Sequence, residues 1–197
     1  LNDIFRQLNF PKFSNVSSTY QRLLDENTIN WPKAFRQICI NTVPEHPDNI
    51  HYGCGSLHYD WENSNIIKDD NGKILKYDVP KFDTPKQEND FTQLNSQFKG
   101  CVFEEIYYKI TEKYNVGRVR LMESLPKTCL TWHSDNSPRL HFPIKTQDGC
   151  FMVIEDNVKH LPLNTWWYTD TTRMHTAFNS STESRIHLVA VLLGEKS

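Results

Sequence analysis

From Arg118 onward the chain reads as a succession of short runs: RVRLMES (118–124), TCLTWH (128–133), RLHFPI (139–144), CFMVI (150–154), TWWYT (165–169) and RIHLVAVLL (185–193). Turn-forming groups separate them, namely Pro126, Asn136-Ser137-Pro138, Asp148-Gly149 and Asn179–Ser181. Many short strands at this spacing predict an antiparallel sandwich or barrel, not an alternating βαβ sheet. Strand alternation divides each run between two faces. Arg139 and His141 share one face, as do Arg185 and His187, while Leu140, Phe142, Ile186 and Leu188 point the other way. Polar side chains directed into a dry core would be costly, so this polar face is expected to look onto a charged ligand.

Upstream, residues 1–117 read as helical and irregular. Ser17 or Ser18 caps a predicted short helix through Tyr20, Leu23 and Leu24, and a second apolar stretch runs from Ala34 to Ile40. Pro44 and Pro47 break the next loop, and Ser56–Trp61 is a candidate strand. Asn65–Lys68 and Lys73–Lys76 flank Asp69-Asp70-Asn71-Gly72, a hairpin signal because Asn-Gly tolerates the positive φ of a tight reversal. Thr84-Pro85-Lys86-Gln87 opens a predicted helix with Phe91, Leu94 and Phe98 at helical spacing. After Gly100 another helix carries Val102, Phe103, Ile106, Tyr107, Ile110 and Tyr114, a core-packing stripe. The expected organisation is one domain over 1–197, mainly β with N-terminal helices (α+β). In it a buttress of residues 1–117, with the substrate lid in 44–85, precedes a β core of 118–197.

Composition narrows the function. The 197 residues carry 22 Lys plus Arg against 24 Asp plus Glu, a formal charge of −2 and a pI near 6.5. Without a basic field, a nucleic-acid partner is not expected. No apolar run approaches the roughly 18 residues of a membrane span, and Leu1–Phe10 does not read as a signal peptide. Five scattered cysteines without a CxxC pair are expected to be reduced thiols of a cytoplasmic protein.

His133-Ser134-Asp135 puts an imidazole and a carboxylate on one strand face. The chain has two other such triplets. His46-Pro47-Asp48 sits among prolines, and His58-Tyr59-Asp60 reads as a strand edge with a hydrogen-bonded histidine. Only the third is followed, before a closing strand, by another histidine, His175, and then by Arg185. Two imidazoles and one carboxylate on one face of an ion leave positions open, which suits non-haem Fe(II) with a chelating cosubstrate and O2. A guanidinium nearby presents a planar fork to a carboxylate.

The segment Arg118–Leu193 resembles the Fe(II)/2-oxoglutarate-dependent oxygenases, and within them the aspartyl/asparaginyl β-hydroxylase-like group. The resemblance rests on RVRLMESLP (118–126), TWHSD (131–135), RLHFPI (139–144), WWYTDT (166–171), HTAFN (175–179) and RIHLV (185–189), in that order. It implies a double-stranded β-helix, a jelly-roll core of the cupin kind. It makes His133, Asp135 and His175 the iron ligands and Arg185 the partner of the distal carboxylate of 2-oxoglutarate. His141 would reach the chelating end, with Arg139 and His187 as further cosubstrate contacts. The implied reaction hydroxylates a C–H bond of an amino-acid side chain, free or in a peptide or protein, with O2 consumed and succinate and CO2 released. The chain keeps Asp135, which animal members of the group lack. It departs from the family at Met122, where a cosubstrate-binding hydroxyl can stand, so that hydroxyl must come from elsewhere. Two other readings fit the same ligands: a cupin-like hydrolase or isomerase holding Zn2+ or Mn2+, and a non-catalytic metal-binding barrel. Trp132, Trp166 and Tyr168 are expected to pack the barrel, Asp170 and Asn179 to support turns, and His51 and His160 to lie in loops.

Overall fold

The computed structural model describes residues 4–32, 35–59 and 63–196. In chain order its elements are β1 (Phe5–Leu8), α1 (Val16–Asp25), β2 (Gln37–Cys39), β3 (Asn41–Thr42), β4 (Asn65–Lys68), β5 (Ile74–Asp78), β6 (Gln93–Leu94), α2 (Val102–Lys113) and β7 (Tyr114–Ser124). There follow β8 (Thr128–Cys129), β9 (Arg139–Lys145), β10 (Cys150–Ile154), β11 (Asn157–Lys159), β12 (Trp166–Thr169), β13 (His175–Asn179) and β14 (Arg185–Glu195). A six-stranded antiparallel sheet runs β1-β12-β9-β14-β7-β2, and a four-stranded one runs β11-β10-β13-β8. From β7 onward the chain crosses from one sheet to the other at each step except the β10–β11 hairpin. That winding is a jelly roll, whose strand β7 begins at Tyr114, four residues before the expected start at 118.

The large sheet separates two environments. Val119 and Leu121 of β7, Leu140, Phe142 and Ile144 of β9, and Ile186, Leu188, Ala190 and Leu192 of β14 form one apolar face. Against it pack Val16, Tyr20 and Leu23 of α1 and Phe103, Ile106, Tyr107 and Ile110 of α2. Each fully buried Leu, Ile, Val or Phe among them contributes about 1.5–3 kcal/mol. In α2 the apolar residues recur at helical spacing, Glu104 and Glu105 lie in the first turn and Lys113 in the last, each sign matched to the helix dipole. In α1 the cap position is Asn15, in the left-handed region at φ 60°, not Ser17 or Ser18. Ser17 instead donates to Ile144 O (2.9 Å), tying the helix to β9.

Two strands of the N-terminal half belong to the barrel sheet itself. β1 pairs with β12 and β2 with β7, one at each edge. The apolar stretch 34–40 is thus strand β2 over Gln37–Cys39, and Ala34 lies outside the described residues. The helix expected from Thr84 is absent. Phe91, Leu94 and Phe98 are buried as anticipated, but 3-10 turns at 88–90 and 96–98 enclose the short strand β6. Asn41 takes the backbone carbonyl of Phe91 (2.6 Å), and Asn95 N–H donates to Ile40 O (2.9 Å), so neighbouring chain satisfies groups that a helix would have used. The expected hairpin forms, with its second strand at Ile74–Asp78 in place of Lys73–Lys76 and Gly72, not Asn71, at positive φ (78°). In Ser56–Trp61 the described part makes only an isolated bridge between Tyr59 and Lys81, and Asp60 and Trp61 lie outside the described residues. Strand β13 was not anticipated, because its end at Asn179 reads as a turn. Among the described residues no helix is long and apolar enough to cross a membrane.

Candidate metal centre

The run expected over 128–133 is a strand only at Thr128–Cys129, yet it continues alongside β13 far enough to bring two histidines together. His133 N–H donates to His175 O (3.1 Å), and His175 N–H donates to His133 O (2.8 Å). Their ring centroids are 4.3 Å apart. Asp135 N–H donates to Thr171 O (2.8 Å), which turns the carboxylate to the same point, 3.7 Å from His175 Nε2 at Oδ2. One ligand atom from each of His133, Asp135 and His175 lies within 4.8 Å of the others.

Backbone carbonyls set the tautomers. His133 Nδ1 lies 2.7 Å from Thr131 O, and His175 Nδ1 lies 3.0 Å from Arg173 O. A carbonyl can only accept, so each Nδ1 carries the proton and each Nε2 keeps its lone pair for a cation. Burial pushes the His175 pKa down, outweighing the Arg173 carbonyl and Asp135, which favour its protonated form. Arg139 Nη2 holds Asp135 Oδ1 at 3.0 Å, so this guanidinium orients the carboxylate. Asp170 bonds Arg173 Nε (3.0 Å) and thereby fixes the loop that presents the His175 partner.

Behind this cluster the inner face of the large sheet is polar. His141 lies opposite Val189 and Trp167, His187 opposite Met122, and Arg185 opposite Ser124. His141 and His187 meet at their Nδ1 atoms (3.4 Å), and each leaves a buried Nε2 without a partner. Burial lowers the His141 pKa to about 3, with Arg185 and Arg139 adding to it, and takes that of His187 well below the ordinary value. With both rings neutral, one Nε2 carries a proton and the other a lone pair. Arg185 is 8% exposed, and its Nε has no partner. Burial lowers its pKa to about 10, which leaves it a cation at neutral pH.

Arg120 joins this face and was not singled out from sequence, although alternation with Val119 and Leu121 puts it there. Its Nη1 donates to Gln37 Oε1 (3.0 Å), and its buried Nε has no partner. Arg118, two residues earlier, is fully engaged: it bonds Glu88 and the carbonyls of Gly53 and Gly55.

The remaining expectations divide. Trp166 is buried and Tyr168 half-buried, but Trp132 is 52% exposed and packs no core, because it alternates with the inward His133. Asn179 is buried and donates to Ser124 O (3.0 Å) and Glu183 O (2.7 Å), a turn-supporting role. His160 and His51 bond backbone carbonyls. Asp48 is bonded by the Ser96 hydroxyl, His58 is exposed, and Asp60 lies outside the described residues.

Residues 101–193 match the family model described as aspartyl/asparaginyl beta-hydroxylase. Among solved structures the chain is similar to a cupin domain from Bordetella pertussis Tohama I, at 13% identity over 38% of this chain and 79% of that one, with a TM-score of 0.34. It is also similar to an oxidoreductase of the 2OG-Fe(II) oxygenase family from Burkholderia pseudomallei, at 14% identity and a TM-score of 0.36. That match covers 46% of this chain and spans half the length of the Burkholderia one. No curated protein matches the sequence.

Proposed function

Because residues 101–193 match the aspartyl/asparaginyl β-hydroxylase family model, we propose that the protein is an Fe(II)- and 2-oxoglutarate-dependent dioxygenase that hydroxylates an amino-acid side chain. The observation that carries this reading is the joint presence of a His133–Asp135–His175 cluster and a buried Arg185, whose Nε has no partner among the described residues, on the inner face of the barrel. A buried guanidinium without a counter-ion is costly, and a dicarboxylate supplies what it lacks. Two imidazole nitrogens and one carboxylate oxygen suit Fe(II), and the protonated Nδ1 atoms leave both Nε2 atoms for it. Donor set and orphaned atoms therefore fit the pair of groups.

On this reading His133, Asp135 and His175 hold the metal, and Arg185 grips the distal carboxylate of 2-oxoglutarate. When bound, iron and cosubstrate supply the oxidising chemistry: O2 is split, 2-oxoglutarate becomes succinate and CO2, and one oxygen atom enters the substrate C–H bond. Arg139 steadies Asp135 and offsets its charge. Whichever of His141 and His187 carries its proton on Nε2 donates to the cosubstrate, and the apolar wall of Met152, Ile154 and Trp167 helps exclude water. Ser124, on the same face as Met122 and opposite Arg185, is the hydroxyl that stands in for the one missing at 122.

The test is spectroscopic. Anaerobic addition of Fe(II) and 2-oxoglutarate is expected to give a weak visible charge-transfer band that His175→Ala abolishes. A protein that binds neither overturns the reading. Succinate release, screened over free amino acids and short peptides with a one-oxygen mass gain on the substrate, separates an oxygenase from a hydrolase on the same ligands.

A further inference from the structure

Two of the five cysteines lie side by side at the β2 edge of the large sheet. Cys39 ends β2 opposite Arg120, and its Sγ is 3.9 Å from that of Cys54. The other three sulfurs bond oxygens: Cys101 to Phe98 O, Cys129 to Leu130 O and Cys150 to Asn179 Oδ1.

The loop is built to hold Cys54 in place. Glycines in the left-handed region flank it, Gly53 at φ 94° and Gly55 at φ 69°. A Cβ at these positions would meet the rings of Phe91 and Phe35 at 2.5 and 2.6 Å, so only glycine admits this approach. Arg118 Nη1 donates to Gly53 O and to Gly55 O, both at 2.7 Å, and pins the main chain on either side of the thiol. The Cys54 thiol lies 3.1 Å from Gln37 O. The Cys54 hydrogen bond, and beyond it the Arg120 and Arg118 guanidiniums, hold Cys39 below the ordinary thiol value, while the same bond and burial push Cys54 up. Cys54 also lines a cavity of about 800 Å³ shared with Trp31, Phe35, Tyr52, Phe82 and Lys86.

The geometry points to Cys39 and Cys54 as a redox-modifiable pair that closes to a disulfide on meeting a hydroperoxide, fastening the 53–55 loop to the β2 edge of the barrel. In the net step two S–H bonds and the peroxide O–O bond break, and one S–S bond forms. The sulfurs are oxidised and the peroxide oxygens reduced. With hydrogen peroxide both thiol protons leave in two waters. The sulfurs must approach by about 2 Å to reach bonding distance. That shift draws Cys54 from Gln37, whose Oε1 accepts from both Gly55 N (3.0 Å) and Arg120 Nη1 (3.0 Å), so the closed loop is felt on the inner face of the barrel.

The full chain is treated with a small excess of hydrogen peroxide, alkylated, and mapped by mass spectrometry without reduction. Free thiols are expected to fall from the five of the sequence to three, with a Cys39–Cys54 linked peptide that dithiothreitol reverses. Cys54→Ser is expected to abolish the intramolecular link and leave Cys39 alkylatable after peroxide, and amide exchange over 53–55 is expected to slow in the oxidised protein. Sulfinic or sulfonic acid at either position without a linked peptide, dimers joined through Cys129, or five surviving thiols each overturn the proposal. A chain with Cys101→Ser and Cys129→Ser keeps the test valid if Cys54→Ser does not fold. It must still form the intramolecular link, and its failure to do so refutes the pair.

Discussion

The two faces of the large sheet follow opposite rules. Toward α1 and α2 the side chains of β7, β9 and β14 are packed and, as with Leu121, Phe142 and Leu188, predominantly apolar, Glu123 being held there by Arg36 (2.6 Å). Toward the small sheet the same strands present Arg120, His141, Arg185 and His187, each buried and each with a nitrogen that has no hydrogen-bond partner among the described residues. The first face is largely satisfied by the protein itself; on the proposed reading the second is finished by a ligand. Stability and binding are thereby assigned to opposite sides of the same backbone, and substitutions on the two sides should separate them.

The largest effect on stability is expected on the helix side. Phe103→Ala removes a side chain of 0% exposure and should cost about 3–5 kcal/mol in chemical denaturation, with metal affinity unchanged in the protein that remains folded. Equal losses of stability and metal binding would break the division. On the inner side Arg185→Met should do the reverse. Affinity for 2-oxoglutarate, measured calorimetrically, should fall about a hundredfold, roughly 3 kcal/mol, while the melting temperature of the ligand-free protein holds or rises. Arg139→Ala tests the support of Asp135. Metal affinity by competition with a chelating dye should drop about 10–100-fold with the fold intact.

The smallest effect is a slope. His141 is neutral when folded, with a pKa of about 3, and titrates near 6.5 when unfolded. Below about pH 6.5 the unfolded chain takes up a proton that the folded one refuses. The contribution is therefore complete above that pH and is lost as pH falls toward 3. The stability of the ligand-free protein should decline by up to about 1.4 kcal/mol per pH unit from this group, and His141→Gln should flatten the decline. An unchanged slope would mean that the inner histidines are not held neutral.

The same contrast governs what could be read in the sequence. Alternation in RLHFPI and RIHLVAVLL separates the polar face from the packed one, and His133, Asp135, His175 and Arg185 stand out because they interrupt apolar runs. The outer stripe of α2 was equally legible from its spacing. What escaped depends on partners distant in the chain. Phe91, Leu94 and Phe98 keep a helix-like spacing while Asn41 and Ile40 engage the backbone around them. β1 and β2 are too short to signal themselves and form on edges supplied by β12 and β7. Arg139 reads as one more cation on the polar face until Asp135 is found beside it.

The position of β14 between β7 and β9 has a consequence for how the molecule comes to be. Its two neighbours are made well before it, so each must wait, with a hydrogen-bonding edge unmet, until the barrel's final strand slides between them. Closure is therefore a late, long-range event. During synthesis on the ribosome the nascent barrel is an open clamp, most vulnerable to wrong pairing just before residues 185–195 emerge.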